Sequence, residues 1–136
     1  MNKKWTEKLK NCKPHSLKKL DKNFAGMKSG QLMLLPSPRL VDSYIKKIPE
    51  RESRSIERMR DDLAKEHEAD VTCPIATGFV LKTVAEAAYE ALSDNGDLTK
   101  ITPIWRLLSA ETTTLKKVSF DHAFVTAQRE AEGISK

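Results

Sequence analysis

The sequence has little cysteine and no long apolar run. Only two cysteines, Cys12 and Cys73, occur in 136 residues, and they lie far apart. That excludes a disulfide scaffold, and two free thiols in a reducing compartment are expected. No run approaches the ~20 apolar residues that span a bilayer, so no membrane partner is expected. The basic start, MNKKWTEKLKNCK, lacks the apolar segment of a secretory signal, and the expected location is cytoplasmic. There is no internal repeat and no low-complexity tract. Metal ligands are equally thin. Cys12-Lys-Pro-His15 offers half of a ligand set, but no second half follows at suitable spacing. No metal and no cofactor are expected.

What the chain does have is charge, unevenly spread. It is 39% hydrophobic and 32% charged, which excludes wholesale disorder and allows one domain with a modest core. Residues 1–60 carry 16 Lys+Arg against 6 Asp+Glu, net +10, and residues 61–136 carry 8 against 13, net −5, which together give +5. A basic half beside an acidic half suits one face built for a polyanion. The alternative is a solvated lysine-rich tail.

The spacing of apolar residues divides the chain into elements. Residues 1–37 read as a basic N-terminal arm, irregular or partly helical, that packs Trp5 and Phe24 onto the body. Within it QLMLL, 31–35, reads as an isolated strand stopped by Pro36-Ser37-Pro38. A helix is predicted over 38–48, with Leu40, Val41, Tyr44, Ile45 and Ile48 at helical spacing and Pro49 as its end. Ser55 caps a second helix over 55–68. A third is predicted over 75–93, its entrance set either by Thr72 and Pro74 or by Thr77, with Gly78 permitting close approach of another backbone. Gly96 ends it. ITPIWRLL, 101–108, reads as a short edge strand because Pro103 cannot complete a ladder. A Thr-rich loop bearing Lys116 and Lys117 follows, then a last helix over 121–132. Three helices, a strand and a basic loop form the order of a winged helix-turn-helix, so 38–136 is expected to be a mostly α winged domain with a small hairpin or sheet. The expected state is a monomer.

Several residues in order carry a family resemblance. They are Ile48-Pro49, Ser55, the small-residue helix after Thr77, Pro103-Ile-Trp-Arg106, Leu115 and Gln128–Gly133, QREAEG. Over about 38–134 the chain resembles the DNA-binding domain of the alkylguanine-DNA alkyltransferases and their alkyltransferase-like relatives. It is closer to small bacterial members with a CP-x-T-T-G-like turn and a TP-x-W-R-like strand. The resemblance implies binding of duplex DNA, alkylated DNA included. It also shows what this chain lacks. The enzymes follow the proline with a nucleophilic cysteine and a histidine, and here those positions hold Ile104 and Trp105. Isoleucine has no nucleophilic atom, so alkyl transfer by that route is excluded, and a non-enzymatic protein is expected. Arg106 matches the family arginine. The alkyltransferase-like proteins carry a tryptophan at the cysteine position itself; here Trp105 falls one position later. The family tyrosine falls on Ile56. The arginine that fills the hole of a flipped base aligns near Thr77.

The candidate DNA-binding residues are therefore Arg54, Ser55, Arg58, Thr77, Gly78, Trp105, Arg106, Lys116 and Lys117. Arg54, Ser55 and Arg58 would meet phosphates, Thr77 and Gly78 would approach a groove, and Lys116 and Lys117 would hold the wing down. Two readings stand for Trp105, buried core or a platform for a base. Two stand for Arg106, internal pairing or phosphate contact. Phe79 reads as core, with an apolar wedge as the lesser alternative. Cys73 reads as an inert helix-entrance residue rather than a reactive thiol. A second functional reading is a protein-interaction module that kept the fold and lost DNA binding, favoured by acidic 61–70 and 86–97. Glu86 and Glu90 on the exposed face of the third helix would disfavour DNA.

Overall fold

Lysine-rich stretches broken by turn residues give the start of the chain only short elements. A computed structural model describes residues 4–134, so residues 1–3 of the basic arm and residues 135–136 lie outside the description. Helix α1, Lys4–Lys10, is followed by strands β1, Ser16–Lys19, and β2, Leu32–Leu35. The strands pair antiparallel, with Ser16 opposite Leu35 and Lys19 opposite Leu32. Between them Phe24 and Met27 exchange backbone hydrogen bonds of 3.0 and 2.8 Å across Ala25 and Gly26, both left-handed at φ 50 and 84. This tight turn holds Phe24 at a tip, 43% exposed, rather than against the body as expected. The 31–35 strand is likewise not isolated. It lies between β1 and β3, Val71–Thr72, and pairs parallel with β3 through Met33–Val71 and Leu34–Thr72.

The helices start where short polar side chains can take up their free amides. Helix α2, Pro38–Lys46, has the Ser37 hydroxyl oxygen accepting from the Leu40 amide at 3.1 Å and Pro38 in its first turn. Helix α3, Ile56–Glu66, has Ser55 accepting from the Arg58 amide at 3.0 Å. Each such cap is worth about 1 kcal/mol. Helix α4, Pro74–Asn95, starts one residue before the prediction, with the Cys73 thiol sulfur accepting from the Ala76 amide at 3.5 Å. It ends at Gly96, whose left-handed φ of 68 closes the last turn.

Helix α4 is the axis of the molecule. Leu81, Val84, Ala85 and Ala88 join Val41, Tyr44 and Ile45 of α2 and Met59 and Leu63 of α3 in the main core. The segment 101–108 is not an edge strand. Pro103 opens a 3₁₀ turn, Ile104–Arg106, in which the Arg106 amide donates to the Pro103 carbonyl at 3.1 Å and the Leu107 amide to that of Ile104. Ile101, Ile104, Trp105, Leu107 and Leu108 are all buried, on every side of the segment. A run apolar all round has no period by which strand and turn can be told apart. The basic loop is also a correction: Lys116 and Lys117 end a short helix α5, Thr113–Lys117, and helix α6, Ala123–Ala131, follows. The fold is mostly helical with one small three-stranded sheet, and among the described residues no strand follows Thr72. Among them no helix is long and apolar enough to cross a membrane.

Candidate nucleic-acid interface

Two places gather aromatic and cationic side chains. The first is the segment 101–108 with its surroundings. Trp105 is buried, and its indole N–H donates to one Glu132 oxygen at 2.7 Å. Arg106 donates to both oxygens of the same carboxylate at 3.0 Å, from Nε and Nη2, and from Nη1 to the Ile48 carbonyl at 3.0 Å. The Arg51 amide adds a fourth donor at 2.8 Å. Burial pushes the Glu132 carboxyl up, but the Arg106, Arg51 and Trp105 donors and the Arg106 charge outweigh it and hold it below its ordinary value. Arg129, 5% exposed, ties the same segment down through the carbonyls of Trp105 at 2.7 Å and Leu108 at 3.1 Å. Of the two readings open for each residue, Trp105 is core and Arg106 is paired internally. Both are corrected as solvent-facing contacts.

Arg54 and Arg58 lie beside this knot. The Arg54 amide donates to the Arg106 carbonyl at 3.0 Å, its guanidinium lies 5.4 Å from the Tyr44 ring centroid, and its buried Nε has no hydrogen-bond partner. The Tyr44 hydroxyl donates to Asp62, and burial followed by that carboxylate raises its pKa. Arg58 is exposed and 3.6 Å from Asp62.

The second place is a cleft of about 1010 Å³ between the starts of α3 and α4, with α1 and α5 as its other walls. Ser55, Ile56, Glu57 and Arg60 line it from α3 and its cap. Ile75, Gly78, Phe79, Lys82 and Thr83 form the α4 wall. Trp5 and Lys8 come from α1, and Glu111, Thr112, Thr113 and Lys117 from the α5 side. The charged lining is Lys8, Arg60, Lys82 and Lys117 against Glu57 and Glu111, four against two. Arg60 donates from Nε to the Thr72 carbonyl at 3.3 Å. Lys8, Lys82 and Lys117 make no ion pair with the described residues. Lys8 and Lys82 instead sit 4.6 and 5.6 Å from the Trp5 ring centroid.

Of the residues predicted from sequence, Ser55, Thr77, Gly78 and Lys117 line this cleft; Arg54, Arg58, Trp105, Arg106 and Lys116 do not. Thr77 is corrected as a groove contact. It is 1% exposed, and its hydroxyl donates back to the Cys73 carbonyl at 2.7 Å. Phe79 is corrected in the opposite direction: it is 74% exposed. Sequence reasoning missed Trp5, Lys8, Arg60 and Lys82 as cleft residues. Packing buries 77, 81, 84 and 88 of α4, which leaves 75 and 79 exposed on the opposite side with Lys82 partly exposed beside them. Glu86 and Glu90 follow Phe79 along the same stripe of α4, but neither lines the cleft. Glu86 is buried and accepts from the Ser119 amide and hydroxyl at 2.8 and 2.6 Å. Glu90 accepts from the amides of Trp5 and Thr6 at 3.2 and 2.9 Å, closing the N-terminus of α1. Among the described residues no cluster of three or more metal-ligating side chains occurs.

No family model, no curated protein and no solved structure matches this chain.

Proposed function

We propose that this protein binds duplex DNA without catalysing a reaction, through the cleft at the start of α3 and α4. The observation that carries the reading is the convergence of cations from four separate elements. Lys8, Arg60, Lys82 and Lys117 face one open cleft, and the three lysines are without carboxylate partners among the described residues. Ammonium groups so placed attract phosphate irrespective of sequence. The hydroxyls of Ser55, Thr112 and Thr113 are further phosphate donors on the same walls. In this reading α3 and α4 act as the helix pair of a winged-helix-like domain, and α5 takes the position of the wing. The likeness to the alkyltransferase-like proteins, alkylated DNA included as a ligand, belongs to the same proposal. Ile104 at the position of the family nucleophile is 1% exposed and carries no nucleophilic atom. The test is a titration of fluorescent duplex DNA at two salt concentrations. Binding that weakens steeply with salt supports the proposal; no binding at low salt, or binding indifferent to salt, rejects it.

A second reading rests on the exposed apolar pair Ile75 and Phe79, 49% and 74% exposed and one helical turn apart. Such a pair on a helix also suits a protein partner. Binding that is unaffected by salt and lost on truncating Phe79 would favour that reading.

A further inference from the structure

Gly78 and Phe79 are adjacent on the cleft wall of α4, and neither is explained by the protein's own packing. A Cβ built on Gly78 meets nothing within 4 Å. The close approach expected of another backbone is therefore not made by this chain. Glycine is among the poorest residues for a helix interior, and the five-residue-deep position of Gly78 in α4 gives it no capping role. Phe79 compounds the anomaly. Its ring is largely in water, while Tyr89, Phe120, Phe124 and Trp105 pack against one another, stacked or edge to face, at the main core. Lys82, one turn further along, and Lys8 and Lys117 on the neighbouring walls, with Arg60, outnumber the cleft's Glu57 and Glu111 around the pair.

We propose that Phe79 is a wedge that enters a base step of duplex DNA and kinks it, and that Gly78 leaves room for the sugar-phosphate backbone beside it. This rests on the DNA-binding reading and adds to it how the duplex is deformed. Apolar side chains that enter a base step from the minor groove unstack it in part and kink the duplex toward the major groove, so that it wraps more of the protein surface and flanking phosphates reach nearby cations. The occupant is DNA rather than an apolar protein because three lysines without a carboxylate partner among the described residues line the same cleft. The deformation is a kink rather than full extrusion of a base, because the segment that would receive the base is filled. Ile104 and Trp105 are 1% and 4% exposed and do not line the cleft.

The experiment uses the full chain and a short duplex labelled with a donor and an acceptor dye at opposite ends. Wild-type protein is expected to raise energy transfer as it binds. F79A is expected to stay folded and to keep salt-sensitive binding with a shallower salt slope than the wild type, because fewer phosphates reach the cations, yet leave the duplex straight; F79L is expected to restore the bend. G78A, which adds one methyl group at the contact, is expected to weaken binding several-fold at unchanged fold by circular dichroism. Bending by F79A equal to that of the wild type overturns the wedge, as does wild-type binding with no change in transfer. Absence of any salt-sensitive binding by the wild type fails at the earlier step and rejects the DNA reading itself. Self-association that disappears in F79A, without duplex bending, assigns the surface to a second copy of the chain and also overturns the proposal.

Discussion

The knot around Trp105 and the cleft beside Phe79 are built from the same kinds of side chain and end in opposite conditions. In the knot Glu132 and Arg106 are paired with each other. The Glu132 carboxylate takes four donors, Arg106 is held bidentate, and the ring of Trp105 is out of water. In the cleft the lysines carry no ion pair among the described residues and Phe79 faces solvent. A buried pair must be fully satisfied, since removing one partner leaves an uncompensated charge. An open cation has no such requirement and remains available to a ligand. The 104–106 turn is thus scaffold, and the open cations lie in the adjoining cleft, which Leu107 and Ser109 help to line.

That contrast can be broken most forcefully at Glu132. E132Q removes the charge that four donors address, and a loss of about 2 kcal/mol of unfolding free energy is expected in urea denaturation, since the pair is partly rather than fully buried. A loss under about 1 kcal/mol would show that the knot is not the lock described here. Acid probes the same group. Its folded pKa is depressed, so its contribution is fully present above the unfolded carboxylate pKa and fades as pH falls through the lower folded value. Stability measured down that range should drop for wild type and drop less for E132Q; parallel curves would contradict the assignment.

The cleft predicts smaller and opposite effects. G78A should stabilise the fold by up to about 1 kcal/mol, because alanine is the better helix former and the space for its methyl is open. A destabilised variant would mean that the outer face of α4 is covered. Smallest of all, K117Q should leave stability within about 0.5 kcal/mol, since Lys117 is exposed and has no carboxylate partner among the described residues. Chemical denaturation of each variant checks both.

How much of this was readable beforehand follows from the range of the interactions. Ser37-Pro38, Ser55 and Gly96 act on their own helices, so the starts of α2 and α3 and the end of α4 were legible from neighbouring residues. The knot was not. Arg106 and Glu132 meet across a long stretch of chain, and nothing local to either residue names its partner. Strand β1 was missed because SLKK is exposed throughout and exists by pairing with β2. Phe79 was misplaced because α4 is apolar on nearly every face. Where apolar residues occur on nearly every face, their spacing alone does not say which stripe packs inward, and tertiary packing decides it.

The account stands most directly on the charge of the cleft. Duplex binding measured against salt for wild type and for K8Q/K82Q/K117Q gives the number of phosphates engaged by those lysines. The slope of log affinity against log salt should become shallower by about 0.9 for each lysine that meets a phosphate, up to about 2.7 for all three. An unchanged slope, with binding intact, would place the DNA elsewhere on the molecule and contradict the central claim.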